Sequence, residues 1–235
     1  RSDSVVVVGA SEDPARIGGA PIAILQKYGF PGKIWGLNPK YATVQGVPCF
    51  PTPEALPGNV DVAIFSLAAA SMKDMLPRLK ARGLKGAVVF SAGFGESGAE
   101  GRALRDWLRR YARENGIAVL GPNCVGQISF ATRRCLNFGN AISVLPAAEA
   151  GRIALLSQSG GVATNIWADA IFAGTKFSHM ITTGNEADLG VVEFLDYLAD
   201  DPQTDAVLGY IEALEDGGAF CRAAERMRRA GKPLV

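Results

Sequence analysis

The stretch that decides the fold is V-V-V-V-G-A-S-E-D-P-A-R-I-G-G, residues 5–19. It opens with four consecutive valines, a β-branched run that is typical of a strand buried on both faces. The glycines that follow allow a tight turn, and the sequence from about residue 19 onward is typical of a helix start. A strand, a glycine-rich turn and a helix in this order predict the first unit of a doubly wound α/β domain.

Short apolar runs continue along the first half of the chain, each separated from the next by a polar or amphipathic segment. This alternation predicts a parallel sheet with helices packed on its faces. We therefore expect an α/β domain over residues 1–145. The further strand-like runs are residues 33–37, 60–66, 86–91 and 117–120.

One of the amphipathic segments, residues 104–111, repeats its apolar residues at helical spacing. This spacing predicts a helix with a single buried face. Arg105, Arg109 and Arg110 fall outside that face, and we expect their side chains to be solvated rather than to form a binding site.

The regular alternation lapses after Gly121 and returns at residues 146–151, where Pro, Ala and Gly mark a domain boundary. A second α/β series begins there and reaches a final strand pattern at Pro233. Because the chain starts with Arg1 and ends inside that pattern, we expect a piece of a longer protein whose second domain, residues 151–235, is truncated. In this domain the predicted strands are residues 153–157, 177–183 and 206–212, and the predicted helices are residues 162–172, 191–200 and 220–229.

Composition excludes several classes of protein. With 235 residues, of which 48% are hydrophobic and 20% charged, the chain can bury a large core. The formal net charge is +1 and no block of like charge is present, so we expect no nucleic-acid partner. The apolar runs are far shorter than the roughly 20 residues that span a bilayer, so we expect no membrane partner either.

Cysteine and histidine usage narrows the chemistry. The four cysteines form no C-x-x-C pair and the only histidine is His179, so we expect no metal site and a reducing, cytoplasmic location. His179 lies beside Phe177 and Met180 inside a predicted strand, which favours a structural role. Without a second histidine or a G-x-S-x-G elbow, a serine hydrolase, or a cysteine nucleophile at Cys124, is disfavoured.

Ligands of doubly wound sheets bind beyond the carboxyl ends of the strands, so the turn at residues 9–19 is the first candidate site. Its glycines let backbone amides approach a phosphate, Ser11 adds a hydroxyl, and the following helix start carries a positive dipole end. The turn lacks the G-x-G-x-x-G fingerprint, and Lys40 follows the second strand where NAD-binding domains place a carboxylate. This pattern favours a phosphate-bearing nucleotide over NAD, while a ligand-free turn remains the alternative.

Other strand ends are equally rich in Gly, Ser and Asn, although each could be only a turn. Residues 91–95 and 121–126 follow strands of the first domain. Residues 157–161 open into a predicted helix and form a second candidate anion site, so two anion sites on two domains suggest a ligand-transfer system. The stretch at residues 184–190 adds carboxylates, and its simplest interpretation is that Asp188 caps the next helix.

Seven motifs, in a shared order, resemble the α-type portion of nucleoside-diphosphate-forming acyl-CoA synthetases, which is similar to the α subunit of succinyl-CoA synthetase. The resemblance covers essentially the whole chain. Each motif alone is weakly specific, but their order is typical of that family. The motifs are residues 5–19, L-N-P-K from Leu37, F-S-A-G-F from Phe90, L-G-P-N-C-V-G from Leu120, A-L-L-S-Q-S-G-G from Ala154, T-G-N-E-A-D-L-G from Thr183 and D-D-P-Q-T-D from Asp200.

The resemblance implies a Rossmann-like CoA-binding domain over residues 1–145 and a flavodoxin-like, doubly wound domain, truncated at its C-terminus, over residues 151–235. It also implies two sets of site residues. The implied CoA-binding residues are Gly9, Ala10, Ser11, Arg16, Ile17, Gly18, Lys40, Ser91, Ala92 and Gly93, and the implied catalytic residues are Asn123, Cys124, Ser157, Ser159, Gly160, Gly161 and Glu212.

Each group has an implied role. Residues 11–18 would hold the nucleotide and phosphate part of CoA, Lys40 its phosphate, and residues 91–93 its pantetheine arm. Asn123 and its neighbour Cys124 would face the reacting thioester. The turn at residues 157–161 would receive phosphate beside a histidine that a carboxylate, Glu212, orients.

In such enzymes acyl-CoA and phosphate give an acyl phosphate, and the phosphoryl group passes to a histidine and then to ADP on an ATP-grasp domain. That histidine is expected just beyond Val235, and His179 does not match its position. The implied partners are CoA, a carboxylic acid and an ATP-grasp (β-type) domain or subunit, which would hold ATP or ADP with Mg. The resemblance also allows a homodimer. Where relatives commonly show Val-Pro-Ala, this chain has Leu-Ala-Ala at residues 67–69, which puts the nearby pantetheine contacts in question.

Two functions of other classes stay open. Similar domains occur fused to a protein acetyltransferase, where a synthetase-like module without its phosphohistidine senses CoA. An NAD-linked oxidoreductase is the third hypothesis, disfavoured by the missing fingerprint and by Lys40.

Overall fold

The protein, described by a computed structural model over residues 2–95 and 98–235, contains two β-sheets with helices packed on their faces. The first sheet has seven strands. They are β1 (Ser4–Val8), β2 (Lys33–Leu37), β3 (Thr43–Val44), β4 (Val47–Phe50), β5 (Val62–Phe65), β6 (Gly86–Val89) and β7 (Ala118–Leu120).

The strand order of the first sheet is β3-β4-β2-β1-β5-β6-β7, and every neighbouring pair except the short β3-β4 pair is parallel. The valine run forms the central strand, with Val5 opposite Ile34 on one side and Val62 on the other. The chain leaves β1 toward β2 and later crosses back to β5 on the opposite side. The turns after β1 and β5 therefore diverge, which opens the crevice where doubly wound domains bind ligands.

The described residues contain seven α-helices, which pack on the two sheets. None of these helices is both long and apolar enough to cross a membrane. The helix predicted around residues 104–111 is present and buries Leu108 and Ala112. The helices are α1 (Ala20–Lys27), α2 (Met72–Lys80), α3 (Gly98–Asn115), α4 (Asn140–Val144), α5 (Gly160–Phe172), α6 (Val191–Asp200) and α7 (Gly217–Arg229).

The second sheet contains a hairpin that the sequence rhythm does not predict. Two short strands in the region where the alternation lapses pair with each other and then, antiparallel, with the second α/β series. Their four-residue sequences, G-Q-I-S and R-C-L-N, are too short and too polar to show a strand period. The strands are β8 (Gly126–Ser129), β9 (Arg134–Asn137), β10 (Ile153–Ser157), β11 (Phe177–Thr182) and β12 (Ala206–Tyr210), in the order β12-β10-β11-β8-β9.

The segment at residues 184–190 joins the two sheets. It lies along the outer edge of β7, where the Ala187 amide donates to the Gly121 carbonyl (2.9 Å) and the Leu189 amide donates to Val119 (3.0 Å). The expectation that Asp188 caps α6 is wrong, because its carboxylate instead accepts from the Val119 amide (3.1 Å). At the start of α6 the Glu193 carboxylate accepts from the Gly190 amide (2.9 Å).

Arg109 also departs from its expected role as a solvated side chain. Its guanidinium donates from α3 to the carbonyls of Ala187 (2.5 Å) and Glu186 (3.0 Å), and it pairs with the Glu215 carboxylate at 3.1 Å. The helix pattern could not show these contacts because all three partners come from the second domain.

Candidate functional site

The turn between β1 and α1 folds back on itself. The Ser11 amide donates to the Gly18 carbonyl (3.2 Å), and a Cβ at Gly18 would collide with the Gly9 carbonyl oxygen. The amides of Gly9 and Ala10 both donate to Leu37 (2.9 and 3.3 Å), so these two predicted site residues shape the turn and have no free amide. Only glycine fits at position 18, which explains the close approach of the two ends of the turn.

The outer part of this turn is open to solvent. Arg16 has 76% of its side chain exposed, and its guanidinium lies 3.6 Å from the Asp13 carboxylate. Ile17 is 41% exposed. The N-cap of α1 is Gly19, and the first amides of this helix are already bonded: those of Gly19 and Ala20 donate to the Arg16 carbonyl (2.8 and 2.9 Å). A ligand would therefore contact the exposed outer part of the turn, where it would also lie near the positive end of the helix dipole.

Lys40 is held close to the same turn. The Asn38 side chain donates to the Ala10 carbonyl (2.8 Å) and accepts from the Lys40 amide (3.0 Å), which ties the end of β2 to the end of β1. Within the described part of the chain the Lys40 ammonium has no ion-pair partner, and the residue is exposed. The turn and Lys40 together present two cationic side chains beside a helix start.

The turn after β6 carries the predicted residues Ser91, Ala92 and Gly93. The Ser91 hydroxyl donates to the Leu67 carbonyl just after β5. The Leu-Ala-Ala segment, which differs from the Val-Pro-Ala of relatives, is therefore bonded directly to the predicted pantetheine site. Ala92 is exposed. Since β2, β1, β5, β6 and β7 are successive neighbours about 4.8 Å apart, their carboxyl ends form a row about 19 Å long.

Asn123 follows β7, the last strand of this row, and its φ of 58° lies in the left-handed region. Its amide donates to the Ser91 carbonyl (3.0 Å), and its side-chain amide donates to the Asn185 side chain (3.3 Å). Asn123 is exposed, so it faces solvent at the junction of the two domains.

Cys124 is the next residue in the sequence, but unlike Asn123 it is buried. Its side chain is 2% exposed, its thiol donates to the Val89 carbonyl (3.5 Å), and burial raises its pKa to about 12. A thiol that stays protonated at neutral pH is a poor nucleophile, which agrees with the exclusion of cysteine chemistry from the sequence.

The turn at residues 157–161 is organised by its own serines. The buried Ser157 hydroxyl donates to the Ser159 carbonyl (2.8 Å) and accepts from the Ser159 amide (3.1 Å). The Ser159 hydroxyl accepts from the Val162 amide (3.3 Å) and caps α5, which therefore begins at Gly160, two residues earlier than predicted.

The two glycines that start α5 have different surroundings. A Cβ at Gly160 would collide with the Val125 side chain from the first domain, whereas a Cβ at Gly161 would meet nothing within 4 Å. The helix start is thus packed against the first domain at Gly160 and open at Gly161. An open helix start with free amides can hold an anion.

Gln158 lies in the predicted turn at residues 157–161, but its role was not evident from the sequence. Its side-chain oxygen accepts from the amides of Glu212 (2.6 Å) and Ala213 (2.9 Å), and its side-chain nitrogen donates to the Glu186 carboxylate (3.0 Å). Gln158 therefore fixes the backbone of the exposed Glu212 relative to β10. Its place in the L-L-S-Q-S-G-G motif was visible, but a single glutamine carries no signal of its own.

One open cavity of about 330 Å³ brings the predicted catalytic residues of both domains together. Ser157 is buried and does not line it, and the predicted CoA-binding residues from Gly9 to Lys40 lie at the other end of the row of strands. The cavity is lined by Phe90, Asn123, Cys124, Val125, Phe138, Gln158, Ser159, Gly160, Gly161, Gly184, Asn185 and Glu212.

His179 lies outside this cavity, in the middle of β11. It is 6% exposed, its Nδ1 is 3.6 Å from the Asp201 carboxylate, and burial lowers its pKa. Its position agrees with the structural role expected from the strand pattern.

Comparison with known proteins identifies the same two domains. Residues 3–129 match the CoA binding domain family, and residues 150–235 match the succinyl-CoA ligase like flavodoxin domain. These matches support the α/β fold class predicted from the sequence, with a Rossmann-like first domain and a flavodoxin-like second domain.

Two curated relatives are similar over nearly the whole chain. Acetate–CoA ligase [ADP-forming] I of Archaeoglobus fulgidus is 37% identical over 98% of this chain and 33% of its own length. The α subunit of acetate–CoA ligase [ADP-forming] II of Pyrococcus furiosus is 34% identical over 98% of this chain and 49% of its own. The chain therefore spans between a third and a half of the length of these relatives.

A solved structure gives the same result. The dinucleotide forming acetyl-coenzyme A synthetase 1 of Ca. Korarchaeum cryptofilum, in complex with phosphate and ADP, superposes with a TM-score of 0.90 at 33% identity. The match covers 99% of this chain and 49% of that chain. Both the domain pair and its arrangement are shared, and we conclude that the chain belongs to the CoA-binding domain family and is similar to the α-type portion of ADP-forming acyl-CoA ligases.

Proposed function

We propose that this chain is the CoA-binding and phosphoryl-relay portion of an ADP-forming acyl-CoA synthetase. The observation that carries the proposal is the shared cavity, in which Asn123 of the first domain faces the α5 helix start and Glu212 of the second. A thioester delivered by one domain and a phosphate held by the other would meet there.

CoA would lie along the row of strand ends. Its nucleotide and phosphates would contact residues 11–18 and Lys40, and its pantetheine arm would pass residues 91–93 toward Asn123. The fit is supported by the exposed side chains of Arg16 and Lys40 and by the length of the row, about 19 Å. A compact ligand would leave most of that row without contacts.

In the proposed reaction a phosphate oxygen attacks the thioester carbonyl, the carbon–sulfur bond breaks, and the products are CoA and an acyl phosphate. The amides at the start of α5, near Ser159 and Gly161, would hold the phosphate and stabilise its charge in the transition state. The Asn123 side chain would orient the thioester carbonyl.

The phosphoryl group would next move to a histidine. His179 is buried in β11 and outside the cavity, so we assign this role to a histidine from outside these 235 residues. Glu212 would accept a hydrogen bond from that imidazole and keep it nucleophilic, and Gln158 would hold Glu212 in place.

The complete enzyme would include an ATP-grasp domain or subunit that binds ADP or ATP with Mg, and it would act on a carboxylic acid. The relatives whose α-type portions match this chain are longer ADP-forming ligases, which supports such a partner. A homodimer and a cytoplasmic location, where buried thiols such as Cys135 stay reduced, belong to the same proposal. These relatives give no support to the acetyltransferase-linked alternative.

The proposal is tested by calorimetric titration of the chain with CoA, with 3′-dephospho-CoA and NAD as comparison ligands. We expect saturable CoA binding, weakened by about tenfold in Lys40→Ala and Ser11→Ala because each substitution removes one contact to a phosphate. Lys33→Ala, an exposed lysine at the start of β2, is the matched control and should bind CoA normally. Absence of CoA binding, or tighter binding of NAD, would contradict the proposal.

A further inference from the structure

The lining of the cavity includes two aromatic residues to which the proposed mechanism gives no role. Phe90 follows β6 of the first sheet and Phe138 follows β9 of the second, and their ring centroids lie 4.6 Å apart at an interplanar angle of 55°. Both side chains line the cavity, together with Val125. The rest of the lining is mostly polar and includes Gln158 and Asn185.

The two phenylalanines differ in exposure. Phe90 is 4% exposed and would meet a Cβ at Gly126 at 3.0 Å, so it is fixed inside the core. Phe138 is only partly buried and packs against two core clusters, each of which contains residues of both domains. Its amide donates to the Val125 carbonyl (3.3 Å), which holds the backbone of Phe138 beside the cavity. Phe138 is therefore the aromatic side chain that a ligand in the cavity can contact.

We infer that Phe138 limits the size of the acyl group, so that the site takes thioesters of short aliphatic acids. This inference rests on the proposed function. The thioester carbonyl and the phosphate need the polar groups near Asn123 and Ser159, so the acyl chain is directed to the remaining apolar wall. A cavity of about 330 Å³ is at the small end of ligand sites, which are commonly about 300–1,000 Å³, and it must also hold a phosphate.

The test measures binding of CoA, acetyl-CoA and phenylacetyl-CoA by calorimetry to the unsubstituted chain and to Phe138→Ala. We expect the unsubstituted chain to bind phenylacetyl-CoA at least about tenfold more weakly than acetyl-CoA, because a bulky group overpacks the wall. In Phe138→Ala the ratio should fall to about threefold or less, while affinity for CoA itself stays within about twofold.

Two further variants separate pocket size from folding. Phe138→Leu keeps an apolar side chain and should give an intermediate ratio, even if Phe138→Ala is too unstable to measure. Phe220→Ala removes a partly buried phenylalanine of α7 that does not line the cavity, and it should leave the ratio unchanged.

The outcomes separate this inference from the function on which it rests. If CoA binds but phenylacetyl-CoA and acetyl-CoA bind equally well, or if both Phe138 variants keep the original ratio, the size limit at Phe138 is wrong and the CoA site stands. If the unsubstituted chain binds neither CoA nor its thioesters, the proposed function and the size limit both fail.

Discussion

The two strand-to-helix turns that are proposed to hold anions differ in how they are built. The β1–α1 turn spans residues 9–19, its helix start has no side-chain cap, and Arg16 extends into solvent. The β10–α5 turn has only Gln158 and Ser159 between strand and helix, and the Ser157 and Ser159 hydroxyls satisfy its own amides. The long turn leaves contacts free for a large ligand, whereas the short turn is fixed in advance for a small one.

The largest expected effect is in the long turn. In Gly18→Ala the new methyl group would collide with the Gly9 carbonyl, a backbone atom that cannot rotate away. We expect a loss of about 3 kcal/mol or more in the free energy of unfolding, together with loss of CoA binding. Urea denaturation followed by circular dichroism measures the first, and calorimetry the second. A variant with unchanged stability would show that the long turn is less constrained than its contacts indicate.

A smaller effect is expected at the start of α5. Gly160→Ala brings a methyl group against the Val125 side chain, which can shift, so we expect destabilisation of about 1–3 kcal/mol. Gly161→Ala is the matched control, because its methyl group meets open space and alanine favours a helix by about 0.5–1 kcal/mol. Thermal unfolding of the two variants should therefore shift in opposite directions. Equal shifts would mean that contact with the first domain does not constrain this turn.

Serine substitutions sharpen the comparison further. Ser159→Ala removes the α5 cap and should lower the free energy of unfolding by about 1 kcal/mol. Ser11→Ala should lower it by less than about 0.5 kcal/mol, because the Ser11 hydroxyl accepts from the amide of the exposed Asp13 (3.3 Å), which water can satisfy instead. Urea titrations of the two variants, run in parallel, measure both changes in the free energy of unfolding. If Ser11→Ala were the more destabilising, the distinction between an open and a prearranged turn would not hold.

The last effect concerns pH and comes from the second domain, since His179 is the only histidine. Burial lowers its pKa in the folded state, so below about pH 6.5 the unfolded chain binds more protons at this site. The free energy of unfolding should therefore decrease between about pH 6.5 and 5, by at most about 1.4 kcal/mol per pH unit from this group. His179→Gln should show a shallower decrease over the same range in urea titrations. An identical slope in the two proteins would exclude His179 as its source.

The sequence predicted those features that are encoded by neighbouring residues. The valine run of β1, the turn at residues 9–19 and the strand–turn–helix at residues 153–172 follow from local periodicity and turn chemistry. The β8–β9 hairpin could not be predicted in this way, because its strands are short and are stabilised by pairing with β11, about 50 residues further along. The residues around a short strand do not indicate which distant strand it pairs with.

The candidate site shows the same limit. Loops at strand ends could be identified from composition, but the roles of Arg109 and Gln158 depend on groups in distant segments. Asp188 was assigned to the nearest helix, although its partner is the amide of Val119 on the edge of the first sheet. Polar side chains with several possible partners are resolved only when the tertiary structure brings those partners together.

Each domain contributes a segment to the sheet of the other: the β8–β9 hairpin joins the second sheet, and residues 184–190 pair with the edge of the first. The chain preceding residues 146–151 contributes two strands to the second sheet, and the chain following that boundary covers the edge of β7 in the first. A cut at residues 146–151 would leave β11 without its neighbour β8 and expose an unpaired strand edge on β7, a surface prone to aggregation. We therefore expect the two domains to fold as one unit, since each completes a sheet edge of the other.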